Sequence, residues 1–420
     1  MNQRFLVLLA GFAGVTLLAG EIDPQSNWPW WRGLARDNHA AAAADPVNTF
    51  SETENVLWKV AVPGRGHSSP TIVGNRIFLA TADVAKETQS VMALDRETGK
   101  TLWTTVVNQG QFPEKIHPKN THASSTVACD GDHVFSVFYN SDALQVTALS
   151  VRDGKVAWDE KLGPYKPKQY EFGYGASPLI YGEYVVVLGD QETGGFLTAF
   201  DRKTGKKAWS TPRPKVMNYA SPVIATLGNK EQLLISGCER LASYDPKTGR
   251  LLWESEKATS PVTCGTPVWE GDLVFSSGGY PNKLTTAVRV GTGEIVWQNN
   301  KKSYEQSMLV HDGHLYTVND NGIAFCWRTK DGEERWSERL KGPISASPVL
   351  VGNRIYAVNE VGTFFVYRAD PDKFEILAKN QLGDESFATP TILGSRIYAR
   401  VTHLDDEGER QEMLYCLGKR

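Results

Sequence analysis

Histidine, cysteine and acidic side chains are where chemistry would sit in this 420-residue chain. His67 and His122 are candidate general bases, because an imidazole near its ordinary pKa can take or give a proton at neutral pH. No G-x-S-x-G nucleophile phrase accompanies them. The five cysteines, Cys129, Cys238, Cys264, Cys326 and Cys416, show neither C-x-x-C spacing for zinc nor C-x-x-C-H for haem. A D-x-D-x-D-G calcium loop is absent as well. What remains is a set of polar and aromatic residues just ahead of one recurring phrase: Arg65, His67, His122, Tyr174, Asn218, Tyr219, Glu305 and Phe387. Aromatic walls with a few polar anchors are the composition of a binding site. Nothing in the set completes a recognisable base–nucleophile pair.

That recurring phrase is a Ser-Pro or Thr-Pro pair followed by a short strand, a turn and a second strand. Its copies begin at residues 68, 124, 176, 220, 265, 306, 346 and 388. Between them runs a second phrase of eleven residues ending in tryptophan, as in ALDRETGKTLW (93–103) and AFDRKTGKKAW (199–209). In each of its six copies a glycine precedes the tryptophan by four residues, from Gly99 and Trp103 to Gly332 and Trp336. Asp95, Asp201 and Asp245 suit the turn because their carboxylates can accept backbone N–H bonds, and the glycine supplies positive φ. The tryptophan falls on the outgoing strand, where an aromatic of about 150–250 Å² can join one unit to the next. Successive tryptophans lie 39 to 55 residues apart, the period of a propeller blade or a solenoid turn. Short alternating runs broken by Gly, Asn and Asp make each unit all-β.

Eight copies of the first phrase predict eight blades of about four strands. Blade seven lacks the tryptophan; YRADPDKFEIL (367–377) places Lys373 and Leu377 where Gly and Trp would stand. Blade eight has no outgoing strand after Met413–Leu417, whereas ENVLWKVAV (54–62) carries an unassigned Trp58. Residues near 56–61 are therefore expected to close the ring, which removes unpaired strand edges.

The phrase A-x-D-x-x-T-G-x-x-x-W resembles the tryptophan-docking motif of quinoprotein-type eight-bladed propellers. That superfamily includes the pyrroloquinoline-quinone (PQQ) dehydrogenases and the propeller lipoprotein of the outer-membrane β-barrel assembly machinery. The resemblance runs from about residue 55 to the end, and NWPWWRG (27–33) is similar to the opening of secreted bacterial PQQ-like repeat proteins. It implies that the Ser-Pro strand is innermost and that the residues before it ring the mouth of a central channel. The eight candidates named above then form the binding surface as a set. It also implies PQQ with calcium as a cofactor, for which Glu305 and Asn218 are the loop residues on offer. The adjacent-cysteine disulfide common in such dehydrogenases has no counterpart here.

Residues 1–20 read as a secretory signal peptide, with an uncleaved anchor as the alternative, and no later stretch is long and apolar enough to span a bilayer. An exported, periplasmic or envelope-associated protein is the expectation. Residues 21–54, with Trp28, Trp30 and Trp31, read as an arm whose aromatics pack on a blade flank; residues 55–420 are the propeller. Export would allow Cys238 and Cys264, at neighbouring ends on one face, to pair, while Cys129, Cys326 and Cys416 read as buried strand residues. A formal net charge of −3 leaves no footprint for nucleic acid. Two functions follow: a non-catalytic exported propeller holding a protein, peptide or glycan partner at the channel mouth, or a PQQ- or metal-dependent oxidoreductase using the same mouth.

Overall fold

Three outer hairpins turn on the aspartate that the sequence places there. Asp95 Oδ1 accepts from the backbone N–H groups of Glu97 and Thr98 at 3.1 and 2.9 Å. Asp201 and Asp245 do the same for the residues that follow them. The computed structural model describes Asp23 and residues 26–419, so the apolar stretch 1–20 lies outside the described residues. Thirty-two strands and no helix make up the described chain, grouped into eight four-stranded antiparallel sheets. It is an all-β, eight-bladed propeller.

Blade one runs from the inner strand Thr71–Val73 to the outer strand Thr101–Gln109, and blade two from Ala128–Cys129 to Val156–Leu162. The inner strands of blades three to eight are Leu179–Tyr181, Val223–Leu227, Val268–Glu270, Leu309–His311, Val349–Val351 and Thr391–Leu393. Blade eight takes its fourth strand from the other end of the chain: Val56–Val62 pairs antiparallel with Arg410–Leu417, setting Trp58 opposite Cys416.

Tryptophans join the blades. The indole N–H groups of Trp58, Trp103, Trp158, Trp297 and Trp336 donate to carbonyls in the following blade's outer turn, Arg96, Val151, Arg202, Thr329 and Asp370, at 2.7–3.2 Å. For Trp58, Trp103, Trp158 and Trp297 that turn's glycine then lies against the ring. At Gly205, with φ of +72°, an added Cβ would come within 2.8 Å of the Trp158 ring. Only glycine permits both the backbone and the approach. Trp253 instead bonds Gln232 of its own blade at 2.8 Å, and Trp209 Nε1 has no partner. In blade seven the register puts Ala378, not Leu377, opposite Val366 at the tryptophan position. The longer loop before it brings Phe374 onto Trp336 and Tyr367, with ring centroids 5.1 and 5.3 Å apart.

The inner strands need another solution, because each has an edge facing the channel. Proline at the start of most of them removes one donor from that edge. The preceding Ser or Thr satisfies another. Ser69 N donates to Thr126 Oγ1, Thr126 N to Ser177 Oγ, and Ser177 N to Ser221 Oγ, at 2.9–3.1 Å. Thr266, Ser307 and Ser347 continue the ring to Thr389 at 2.9–3.0 Å. This pairing places Val127, not Thr126, at the proline position of blade two.

The arm meets the remaining edges, and it lies across the channel and not on a flank. Trp28 exchanges two backbone bonds with Ile72 of blade one, Pro29 O accepts from Cys129 of blade two, and Asn38 and Ala40 bond Leu350 of blade seven. Its side chains reach blades three, five and six through Arg36 to Ile180 O, Trp31 to Thr266 Oγ1 and Arg32 to Met308 O. A segment that touches the inner strands of six blades closes one end of the channel. The five cysteines are all free thiols. Cys129, Cys326 and Cys416 lie buried on strands. Cys238 does not pair with Cys264; its thiol is held by Val216 O at 3.2 Å and Asp190 at 3.4 Å.

Emptying one indole site tests this account of the joints. Trp158 is 8% exposed, and Trp158→Ala is expected to cost about 3–5 kcal/mol in urea unfolding. Leu102→Ala, at a side chain 46% exposed on a neighbouring outer strand, should change stability by less than about 0.5 kcal/mol. Equal effects would show that the indoles do not join the blades. Removing residues 56–62 should leave Arg410–Leu417 an open edge and shift the protein from monomer to aggregate in size-exclusion chromatography.

Candidate functional site

Between the mouth and the arm the channel holds a cavity of about 240 Å³. That is near the lower bound of small-ligand sites, roughly 300–1,000 Å³, so it suits a side chain or a small organic group. Its throat is the hydroxyl ring, with Ser69, Thr126, Ser177, Ser221, Ser347 and Thr389 on the wall, and its floor is Trp31. Thr266 is not on the wall; its hydroxyl accepts the Trp31 indole N–H at 3.0 Å. The floor is thereby pinned at the break between the two hydroxyl runs, where Trp31 and not Ser221 bonds Thr266.

The residue three before each proline position completes the wall: His67, Ser124, Gly175, Tyr219, Cys264, Glu305, Ser345 and Phe387. Four of the eight sequence candidates are among them. His67 stacks on Phe387, centroids 4.7 Å apart and planes 16° apart. Tyr219 stacks on Phe172 and donates its hydroxyl to Tyr170 O at 2.8 Å. Glu305 stands recessed beside Ser345, near Glu360.

The other four candidates lie elsewhere. His122 drops out because blade two is aligned one residue later than its serines suggest. It packs on Phe112 outside the cavity, centroids 4.2 Å apart. Tyr174 is buried, with its hydroxyl on Leu188 O at 2.9 Å. Asn218 is buried at 4% exposure and bonds Asp190 and Ala220 N. It belongs to a sealed network in which Arg213 forks onto Asp190 at 3.0 and 2.8 Å. Arg65 sits between blades one and eight, beside the buried Arg400–Glu412 pair.

Two loops contribute cavity residues outside the repeat. The loop 110–127 crosses the mouth, and Lys119 Nζ reaches Glu360 of blade seven at 2.8 Å. Ser345 Oγ donates to the same Glu360 oxygen at 2.7 Å. From the loop 163–178 comes Phe172, held against His117 edge to face at 5.1 Å. Trp31, His117, Lys119, Asn120, Phe172 and Tyr304 all line the cavity. Of these only Tyr304 stood at a position the repeat marks.

The sequence also matches a described family, outer membrane protein assembly factor BamB, over residues 34–171, 87–338 and 282–373. The chain belongs to the BamB family. BamB of Yersinia pestis is 23% identical over 418 residues, covering 92% of this chain and 94% of its own. Quinoprotein ethanol dehydrogenase of Pseudomonas putida is 28% identical over 309 residues, but only 45% of that longer enzyme is covered. Among solved structures, BamB from Moraxella catarrhalis superposes with a TM-score of 0.60 at 15% identity, covering 86% of this chain and 96% of that one. A europium-containing methanol dehydrogenase gives 0.69 at 12%, covering 94% and 98%. Both likenesses are of fold.

The calcium that the quinoprotein resemblance implies does not fit this BamB-family cavity. Of the two donors on offer, Asn218 is sealed with Asp190 away from the cavity wall, which leaves Glu305 as a lone carboxylate there, its neighbour Glu360 being taken by Lys119 and Ser345. Among the described residues no three His, Cys, Asp or Glu side chains converge as a metal would need.

Electrostatics distinguish the two sides of the cavity. Burial holds the His67 pKa well below its ordinary value, and Arg65, Arg400 and Arg410 push the same way, so the ring is neutral at pH 7. Burial raises the Glu305 carboxyl, and the nearby Glu360 adds to it. A carboxyl raised on folding binds more protons in the native state, so its contribution to stability falls as pH rises from the ordinary glutamate range through the raised value. Glu305→Gln removes that loss. The variant is expected to melt above the parent at pH 7.5, with the difference shrinking toward pH 4; a constant difference across that range would refute the assignment.

Proposed function

We propose that the protein is an exported, non-catalytic propeller that holds a polypeptide partner at its channel mouth during outer-membrane protein assembly, the process named in its BamB relatives. The observation that carries this reading is the cavity itself: open toward the mouth loops, floored by Trp31 and walled by residues that differ from blade to blade. The flanks are occupied in joining blades, whereas the mouth collects non-identical loops on a rigid ring, the usual carriers of binding chemistry. Neutral His67 has no hydroxyl nucleophile hydrogen-bonded to it, and its Nε2 is without a partner. That arrangement supports binding over turnover. Similarity to quinoprotein dehydrogenases supports the alternative of an oxidoreductase at the same mouth, but a single free carboxylate, with Asn218 sealed away, weighs against a calcium-held quinone.

A photo-reactive side chain placed at Lys115, on the mouth loop and 72% exposed, tests the reading in cells. It should form adducts with polypeptides, while the same group at Leu102 on the blade flank should not. Adducts from the flank alone would overturn the mouth assignment. Dye-linked alcohol oxidation by purified protein given PQQ and calcium would overturn the non-catalytic one.

A further inference from the structure

The charges around the cavity do not balance. Lys119 is matched by Glu360 at 2.8 Å, and Lys302, beside Tyr304, by Asp320 at 3.1 Å. Glu305 has no such match: among the described residues no Lys, Arg or His nitrogen forms an ion pair with it, and of the basic side chains nearby Lys119 is already taken while His117 packs on Phe172. His67 is neutral, so it offers no compensation. An ionised Glu305 thus leaves a surplus of one negative charge in a partly buried recess.

The rest of the wall selects the kind of cation. Five aromatic rings line the cavity, from Trp31, Phe172, Tyr219, Tyr304 and Phe387. Ring faces attract organic cations, and the attraction grows when the cation is desolvated. A small divalent metal would want several oxygen or imidazole ligands at once, which this cavity does not supply. An ammonium carries three N–H donors and no acceptor. The wall offers it the Glu305 carboxylate and the throat hydroxyls, and the buried Nε2 of His67 on the same wall has no partner.

We propose that the cavity takes an alkylammonium group, whether the head of a partner's lysine side chain or a free primary amine, with Glu305 as its counter-charge and the aromatic rings around its stem. The proposal rests on the mouth being the binding end, and it names the chemistry bound there. At about 240 Å³ the cavity accommodates a lysine-length stem and not a folded surface.

Calorimetry with four probes tests it: butylammonium, an acetylated and amidated five-residue peptide with a central lysine among glycines, its norleucine counterpart and its glutamate counterpart. The lysine peptide should bind at least tenfold more tightly than the norleucine peptide, and weaken as salt is raised. Glu305→Gln, which keeps the shape of the side chain, should cost at least tenfold in lysine-peptide affinity without lowering the melting temperature. Tyr304→Leu should cost roughly threefold to thirtyfold. A lysine peptide tighter than butylammonium assigns the group to a polypeptide; equal affinities assign it to a free amine. Norleucine or glutamate peptides binding as well as lysine, or no binding of either amine, would overturn the proposal. If cross-links from position 115 persist in that case, the ammonium site falls and the mouth reading stands; if butylammonium binds while those cross-links are absent, the reverse holds.

Discussion

Eight inner strands around a channel present eight edges that no neighbouring strand covers, and this molecule is organised around satisfying them. A buried backbone N–H without a partner costs about as much as a lost hydrogen bond, and the cost would recur in every blade. Three devices share the work: proline removes a donor, a hydroxyl from the next blade accepts another, and the arm supplies strand-like partners where it passes. Each device has a functional by-product. The hydroxyls give the channel a polar throat, and the arm gives it a floor.

The same economy explains why the tryptophans and the channel residues behave differently. Four of the outer-joint indoles, Trp58, Trp103, Trp158 and Trp297, meet the same glycine and carbonyl, so their role is set by repetition. A residue three before the proline meets a different neighbour each time. His67 faces Phe387, Tyr219 faces Phe172, and Glu305 faces Ser345. Repetition builds the ring; departure from it builds the site. BamB-family membership accords with a fold used as a frame, since a europium-containing methanol dehydrogenase shares the same fold.

The architecture was legible because it is periodic: eight inner-strand phrases, six of them with the proline, and six tryptophan phrases prescribe blade number, strand order and the unpaired Trp58 that closes the ring. The cavity was half legible, for physical reasons. Where proline is missing, as in blade two, three consecutive hydroxyl residues, Ser124, Ser125 and Thr126, leave the alignment undetermined, and the choice moved His122 onto a wall it does not join. Asn218 and Tyr174 stand at the right place in the phrase, but their side chains turn to partners distant in sequence, Asp190 and Leu188 O. Lys119, Phe172 and Trp31 come from loops and an arm that carry no period at all. The aromatic character of NWPWWRG was visible; its path across the inner strands depends on six blades that only the folded ring brings together.

Ring closure between Val56–Val62 and Arg410–Leu417 also fixes an order of events. A chain made from its amino end exposes the closing strand and the arm first, yet their partners include the last blade made. Contacts of such sequence separation form slowly, because the loop they close is long. Until Val56–Val62 meets Arg410–Leu417 the ring stays open, and Trp31 has no complete throat to sit beneath. The cavity is thus the final feature to be assembled, and its presence certifies that the whole circle has been made.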